Sequence, residues 1–157
     1  MPEDMPYDIH LEDVPAMAVR SVRRRIRDTQ VLGPMIGEAL QSLLEAGGLP
    51  AGPPMLLFHD EILPAHDLDV EAAWPVSDPA LANGRLSAIR AAVVCHTGPY
   101  DSLQPVYRAL FDWIEAHGLE PTAPIREVYM TDPRTVAPEE AVTVVFVPVV
   151  GSSNGQE

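Results

Sequence analysis

The residue best placed to do chemistry is Glu127, within the stretch Pro124 to Pro133, P-I-R-E-V-Y-M-T-D-P. The stretch alternates as a strand does, so Ile125, Glu127 and Tyr129 share one face and Arg126, Val128 and Met130 the other. A glutamate between an aliphatic and an aromatic residue is costly to bury alone, because its charge loses water without gaining a partner. Two arrangements satisfy it. Either it faces solvent or an arginine of a neighbouring strand, or it forms the floor of a cavity where a ligand supplies the partner.

Other reactive groupings carry less. His59-Asp60-Glu61 and His66-Asp67 offer metal-type ligands without the HxxxH or CxxC spacing that fixes a coordination geometry, so no metal is expected. Cys95 and His96 are consecutive in a strand and point to opposite faces, which prevents a Cys–His pair. Cys95 reads as a small buried hydrophobe. No glycine-rich phosphate loop is present, and no cofactor is expected.

The elements that position these residues fit one domain of 157 residues, 46% hydrophobic and 21% charged. A net charge of −13 disfavours nucleic acid, whose phosphates need a basic face. The single cysteine excludes an internal disulfide. With no signal-like N-terminus and no long apolar span, the expectation is a cytoplasmic chain that does not engage membranes.

After a loose lead-in to Tyr7, Ile9 to Val22 reads as extended structure broken at Pro15. Arg23-Arg24-Arg25-Ile26-Arg27 then reads as a solvated strand end beside acidic neighbours. Asp28-Thr29 supplies caps for a helix carrying Met35, Ile36, Ala39, Leu40, Leu43 and Leu44, which Gly47-Gly48 ends. Strands follow at Met55 to His59 and Leu68 to Val76, and Val76 to Gly84 reads as a linker. The order then returns: a strand from Leu86 to His96, a turn at Thr97-Gly98-Pro99-Tyr100, and a helix capped by Asp101 or Ser102 with Pro105 in its first turn. That helix carries Val106, Leu110, Trp113 and Ile114 as its apolar stripe, with Tyr107 and Phe111 beside it, and ends at Gly118. The Glu127 strand and a strand from Ala141 to Val150 complete the copy, and residues 151–157 read as a disordered tail.

The recurrence aligns at an offset of 70 between Gly48-Leu49 and Gly118-Leu119, which places His59 opposite Tyr129 and Leu57 opposite Glu127. Residues 7–76 and 85–150 form two strand–helix–strand–strand halves. Paired edge to edge, they give an α+β fold: a curved antiparallel sheet, two helices on one face, and a ligand cavity at the pseudo-twofold axis.

With these residues in view, the chain resembles the GyrI-like small-molecule-binding domains that serve AraC- and MerR-type regulators. The resemblance rests on Leu110-x-x-Trp113 followed by Gly118, on Arg126-Glu127-Val128-Tyr129 with Asp132-Pro133, on Thr97-Gly98-Pro99-Tyr100, and on the closing Val145-Phe146-Val147-Pro148-Val149. It implies that Glu127 lies in the ligand cavity among aromatic residues and meets lipophilic cations. Tyr129 shares its face, and Tyr100, Trp74, Tyr107 and His59 are the further ligand-binding candidates, whereas Trp113 reads as core.

Two functions follow from the resemblance. The first is a binder or sequestering protein for hydrophobic small molecules, aromatic or cationic, acting alone, as a homodimer or on a protein partner. The second is a cofactor-independent hydrolase of cyclopropane-bearing natural products, with Glu127 as general base and Tyr129 or Tyr100 assisting. No helix-turn-helix segment precedes Tyr7, so direct nucleic-acid binding is not expected.

Overall fold

The computed structural model describes residues 7–60, 67–132 and 134–151. The expected lead-in before Tyr7, Glu61 and His66 of the candidate metal ligands, Pro133, and the tail after Gly151 lie outside the described residues. Pro15 divides the first extended stretch into β1 (Ile9–Val14) and β2 (Met17–Ile26), since proline has no N–H to continue a ladder. β2 runs on through the arginine cluster, where Arg23 meets Asp69 at 2.8 Å, Arg24 meets Glu38 at 2.5 Å and Arg27 meets Asp67 at 3.3 Å. Exposed pairs of this kind add little to stability, because water and salt screen them. β5 pairs β2 only over Met17 to Val19, and charged side chains on the open stretch beyond discourage pairing with another chain.

Asp28 accepts the Gln30 amide at 2.9 Å and opens a 3-10 turn leading into α1 (Leu32–Glu45). Met35, Ala39 and Leu43 form its buried stripe, and Gly47 ends it at φ +91, a left-handed conformation that glycine adopts without strain. β3 (Met55–Phe58) and β4 (Leu68–Pro75) follow. The expected strand from Leu86 to His96 is two elements, a short β5 (Gly84–Leu86) and β6 (Ile89–Thr97), because they pair with different neighbours. α2 (Leu103–Ala116) buries Leu103, Val106, Leu110 and Ile114, roughly 1.5–3 kcal/mol for each side chain removed from water. Ser102, one of the two expected caps, stands at its N-cap position, but its hydroxyl makes no capping bond and donates back to the Pro99 carbonyl at 2.6 Å. Trp113 packs partly buried at the margin of this core and stacks on His117, ring centres 3.9 Å apart. β7 (Leu119–Pro121), β8 (Ile125–Tyr129) and β9 (Val142–Gly151) complete the order; Gly151 is the last residue of β9 and pairs with Leu119.

The strands lie in the order β1-β6-β9-β8-β3-β4-β2-β5, all antiparallel, with β7 pairing the end of β9. The order is symmetric about the β8–β3 contact. Short leading strands cross over: β1 joins β6 and β5 joins β2, so each half is strand–strand–helix–strand–strand and covers the other's edge.

Register assigns the faces. Leu56 pairs with Glu127, Glu127 with Val145, and Val145 with Val94, so all four share one face. Both helices pack there, α1 over Ile26, Leu56, Val70 and Ala72, α2 over Ala92, Val94, Val145 and Val147. On the other face the sheet curls over its own apolar residues, Val19, Met55, Leu57, Ala73 and Val128. This is the expected α+β fold.

The repeat alignment needs one correction. α1 and α2 are both 14 residues long and start at Leu32 and Leu103, an offset of 71. Gly118, at φ +70, corresponds to the left-handed Gly47 and not to Gly48. Glu127 therefore faces Leu56, whereas Leu57 pairs with Arg126 on the opposite face. An error of one residue in a strand exchanges faces. Cys95 is also corrected: it is exposed, because it points to the face that α2 leaves uncovered.

Candidate functional site

β8 lies between β3 and β9, so Glu127 sits mid-sheet with buried Leu56 and Val145 on either side of it in the ladder. Neither neighbour offers a hydrogen bond. Its partners come instead from two phenols. Tyr107, projecting from α2, donates to Oε2, and Tyr129, two residues along β8, donates to Oε1 at 2.5 Å. Hydrogen bonds from O–H to a carboxylate are the strong, short kind.

Two further rings extend the cluster. Tyr100, on the 3-10 turn after β6, stands edge-on to Tyr129 with ring centres 5.7 Å apart. Phe111, one turn beyond Tyr107, stacks beside it at 6.3 Å. Gly98 admits this turn: its φ of +143 suits glycine, and a Cβ there would approach the His96 ring to 3.2 Å.

Burial is the main force on the phenols. It pushes Tyr107 and Tyr129 far above the ordinary tyrosine range, and the Glu127 carboxylate and its hydrogen bonds push them further. Tyr100 is raised by burial first, then by Asp132 and Glu127. All three therefore remain protonated donors at physiological pH. Among the described residues no arginine or histidine lies within ion-pair distance of Glu127.

Glu127, Tyr129, Tyr107 and Tyr100 are thus brought together; two other candidates stand apart. Trp74, on the helix face of β4, donates its indole N–H to the Ile36 carbonyl of α1 at 2.9 Å. His59 lies on the opposite face, where Nε2 meets Glu71 Oε1 at 2.9 Å, and Glu71 also accepts from Ser21 at 2.6 Å. Asp60 accepts the Asp69 amide at 2.8 Å.

Sequence reasoning missed Thr143. It is fully buried, pairs with both Tyr129 and His96 in the ladder, and its hydroxyl has no partner among the described residues. Its position as the one polar residue within V-T-V-V-F-V-P-V-V was the available signal. Glu127 itself is half-buried, with Tyr107 on one carboxylate oxygen and Tyr129 on the other. A cleft of about 110 Å³ lies against Tyr100, between Pro99 and Val136 to Ala141. A larger one, about 440 Å³, opens on the opposite face.

The chain matches the family model of the GyrI-like small molecule binding domain over residues 7–150. Among solved structures it is similar to the C-terminal domain of EcmrR, at 28% identity and TM-score 0.78, covering 94% of this chain and 99% of that one. EcmrR bound to DNA in a cryo-EM complex superposes at 28% identity and TM-score 0.84, covering 95% of this chain; the chain spans 59% of that regulator's length. A hydrolase from Listeria innocua shares the fold at 17% identity and TM-score 0.67, over 90% of this chain and 91% of that one. SAV2435, solved bound to tetraphenylphosphonium, shares it at 14% identity and TM-score 0.64, over 95% and 98%. No curated protein matches the chain.

Proposed function

The chain belongs to the GyrI-like small molecule binding family, and from that premise we propose that it binds a lipophilic, aryl-bearing cation at Glu127. One observation carries the reading: a carboxylate in an apolar sheet face, held by two phenols and lacking a cation of its own among the described residues. A cation arriving at about 4 Å gains roughly 4 kcal/mol of attraction at an effective dielectric of 20. Tyr129, Tyr107 and Tyr100 offer ring faces, each worth about 0.5–2 kcal/mol to a desolvated cation. Tyr100 is 42% exposed and borders the smaller cleft, so its turn is the natural point of access.

Binding is the reading we propose: the two phenols hold the carboxylate as a fixed charge, one hydrogen bond to each oxygen, and each oxygen keeps a further lone pair for an incoming cation.

The test is a calorimetric titration with tetraphenylphosphonium and with neutral tetraphenylmethane-type analogues made soluble by a glycol arm. Glu127→Gln is expected to weaken the cation by more than tenfold and to leave the neutral analogue within twofold. Equal losses for both would remove the carboxylate from the role of charge partner.

A further inference from the structure

The residue next to Glu127 in β8 poses the opposite electrostatic problem on the opposite face. Arg126 is 3% exposed and is the one buried arginine among the described residues. Arg23, Arg24, Arg25, Arg27 and Arg134 each have a carboxylate within 4 Å, although all are solvated. Arg126 has none among the described residues, and its Nε has no hydrogen-bond acceptor. Burial draws its pKa below the ordinary arginine value with no nearby acid to oppose the shift, yet a guanidinium stays charged. A buried charge without a partner is destabilising by several kcal/mol, so a chain with 23 acidic residues does not leave one through lack of carboxylates.

The surroundings show what would complete it. Arg126 pairs in the ladder with Phe146, and its guanidinium carbon lies 6.0 Å from the centre of that ring. Both line the cleft of about 440 Å³, whose walls include Met17, Met55, Val93, Val128 and Val144. Asp8, His10 and Glu12 of the β1 side line its rim; all three are exposed, and Glu12 is engaged by His10 at 3.0 Å. Water and salt screen the rim charges, whereas they screen Arg126 poorly. An acidic rim repels a polyanion more than a monoanion.

We propose that this cleft is a second binding site, separate from Glu127, which receives an amphipathic monocarboxylate: its carboxylate on the Arg126 guanidinium, its hydrocarbon body along Val93, Val144 and Phe146. The planar fork of arginine matches a carboxylate with two parallel N–H bonds, and the apolar walls take up an alkyl or aryl chain.

Decanoate, decanol and decyl phosphate serve as probes for the full chain by calorimetry. The expected results are binding of decanoate, at least tenfold weaker binding of decanol, and weaker binding of the dianionic phosphate. Arg126→Gln should lose at least tenfold for decanoate, while Glu127→Gln leaves decanoate unchanged, so this site fails or stands independently of the cation site. Cys95 provides a readout in the unaltered protein, since it is exposed and lines the same cleft. Decanoate should slow its alkylation by N-ethylmaleimide, and decanol at the same concentration should not. No decanoate binding, equal binding of decanol, tighter binding of decyl phosphate, or alkylation unaffected by saturating decanoate would overturn the assignment, whether or not the Arg126 variant folds.

Discussion

The two phenols on Glu127 make a measurable prediction about stability at high pH. Tyr107→Phe removes one donor from a half-buried carboxylate and should cost roughly 1.5–3 kcal/mol at pH 7, the range for hydrogen bonds to charged groups. The pH dependence has a definite sign. Tyr107 and Tyr129 have folded-state pKa values raised far above about 10, the unfolded value. Their contribution is therefore complete below about pH 10 and is lost as pH rises, because the unfolded chain releases protons that the folded chain keeps. At pH 11 each phenol costs about 1.4 kcal/mol, one pKa unit's worth. Wild type should lose about 3 kcal/mol from the two between pH 9 and pH 11. Tyr107→Phe should lose only half as much from this source, so its deficit at pH 7 shrinks by about 1.4 kcal/mol at pH 11. Urea denaturation followed by tryptophan fluorescence at intervals from pH 8 to 11 measures both numbers. Parallel curves for wild type and variant would mean that Tyr107 ionises freely in the folded chain, and the contact with Glu127 would have to be abandoned.

Two more outcomes separate the candidates that the fold keeps apart. Trp74→Phe removes the hydrogen bond to Ile36 and should cost about 1 kcal/mol of stability. Tetraphenylphosphonium affinity should stay within twofold, and a tenfold loss in the same titration would bring Trp74 into the cation site. A cyclopropane-bearing electrophile incubated in large excess should disappear, if at all, only up to one equivalent of protein. Chromatography showing product beyond that equivalent, abolished by Glu127→Gln, would replace binding with hydrolysis.

Much of the fold was legible because two periodicities are clean. Arg126 to Tyr129 alternates at period 2, and burial follows it, intermediate at Ile125, Glu127 and Tyr129, buried at Arg126 and Val128. Val106, Leu110 and Ile114 recur at helical spacing and are buried in α2. The short strands were not legible. β5 and β7 have three residues each, and what makes them strands is a partner far away in sequence, β2 and β9. Cys95 was misjudged for a related reason: a sequence marks an apolar strand without saying which of its faces a helix covers. Of the site, Glu127 and Tyr129 were readable from their shared face. Tyr107 could not be placed at the carboxylate from spacing alone, because α2 must first be seated on the sheet. The isolated guanidinium of Arg126 was invisible for the same cause, since an arginine in a strand implies a neighbouring acid until the register shows Leu57 and Phe146 there instead.

The register also explains why a pseudo-symmetric fold carries an asymmetric pair of charges. The axis passes between Leu56 and Glu127, which are each other's counterparts and direct ladder neighbours. A perfect repeat would place a second glutamate at Leu56, its Cβ about 5 Å from that of Glu127. Two carboxylates so close in an apolar face cannot both stay ionised: the pair would hold one proton and keep a single negative charge, so a second glutamate adds burial cost without adding attraction for a monovalent cation. The same reasoning applies on the other face, where Arg126 has Met55 as its counterpart at the offset of 71 and meets Leu57 and Phe146 in the ladder. A second guanidinium at the axis would repel the first with no acid between them. Duplication provides the scaffold, two helices and a curved sheet closing on one axis. A single unpaired charge on each face of β8 is then the most that the axis can hold, and one charge of each sign is what adjacent residues on a strand deliver.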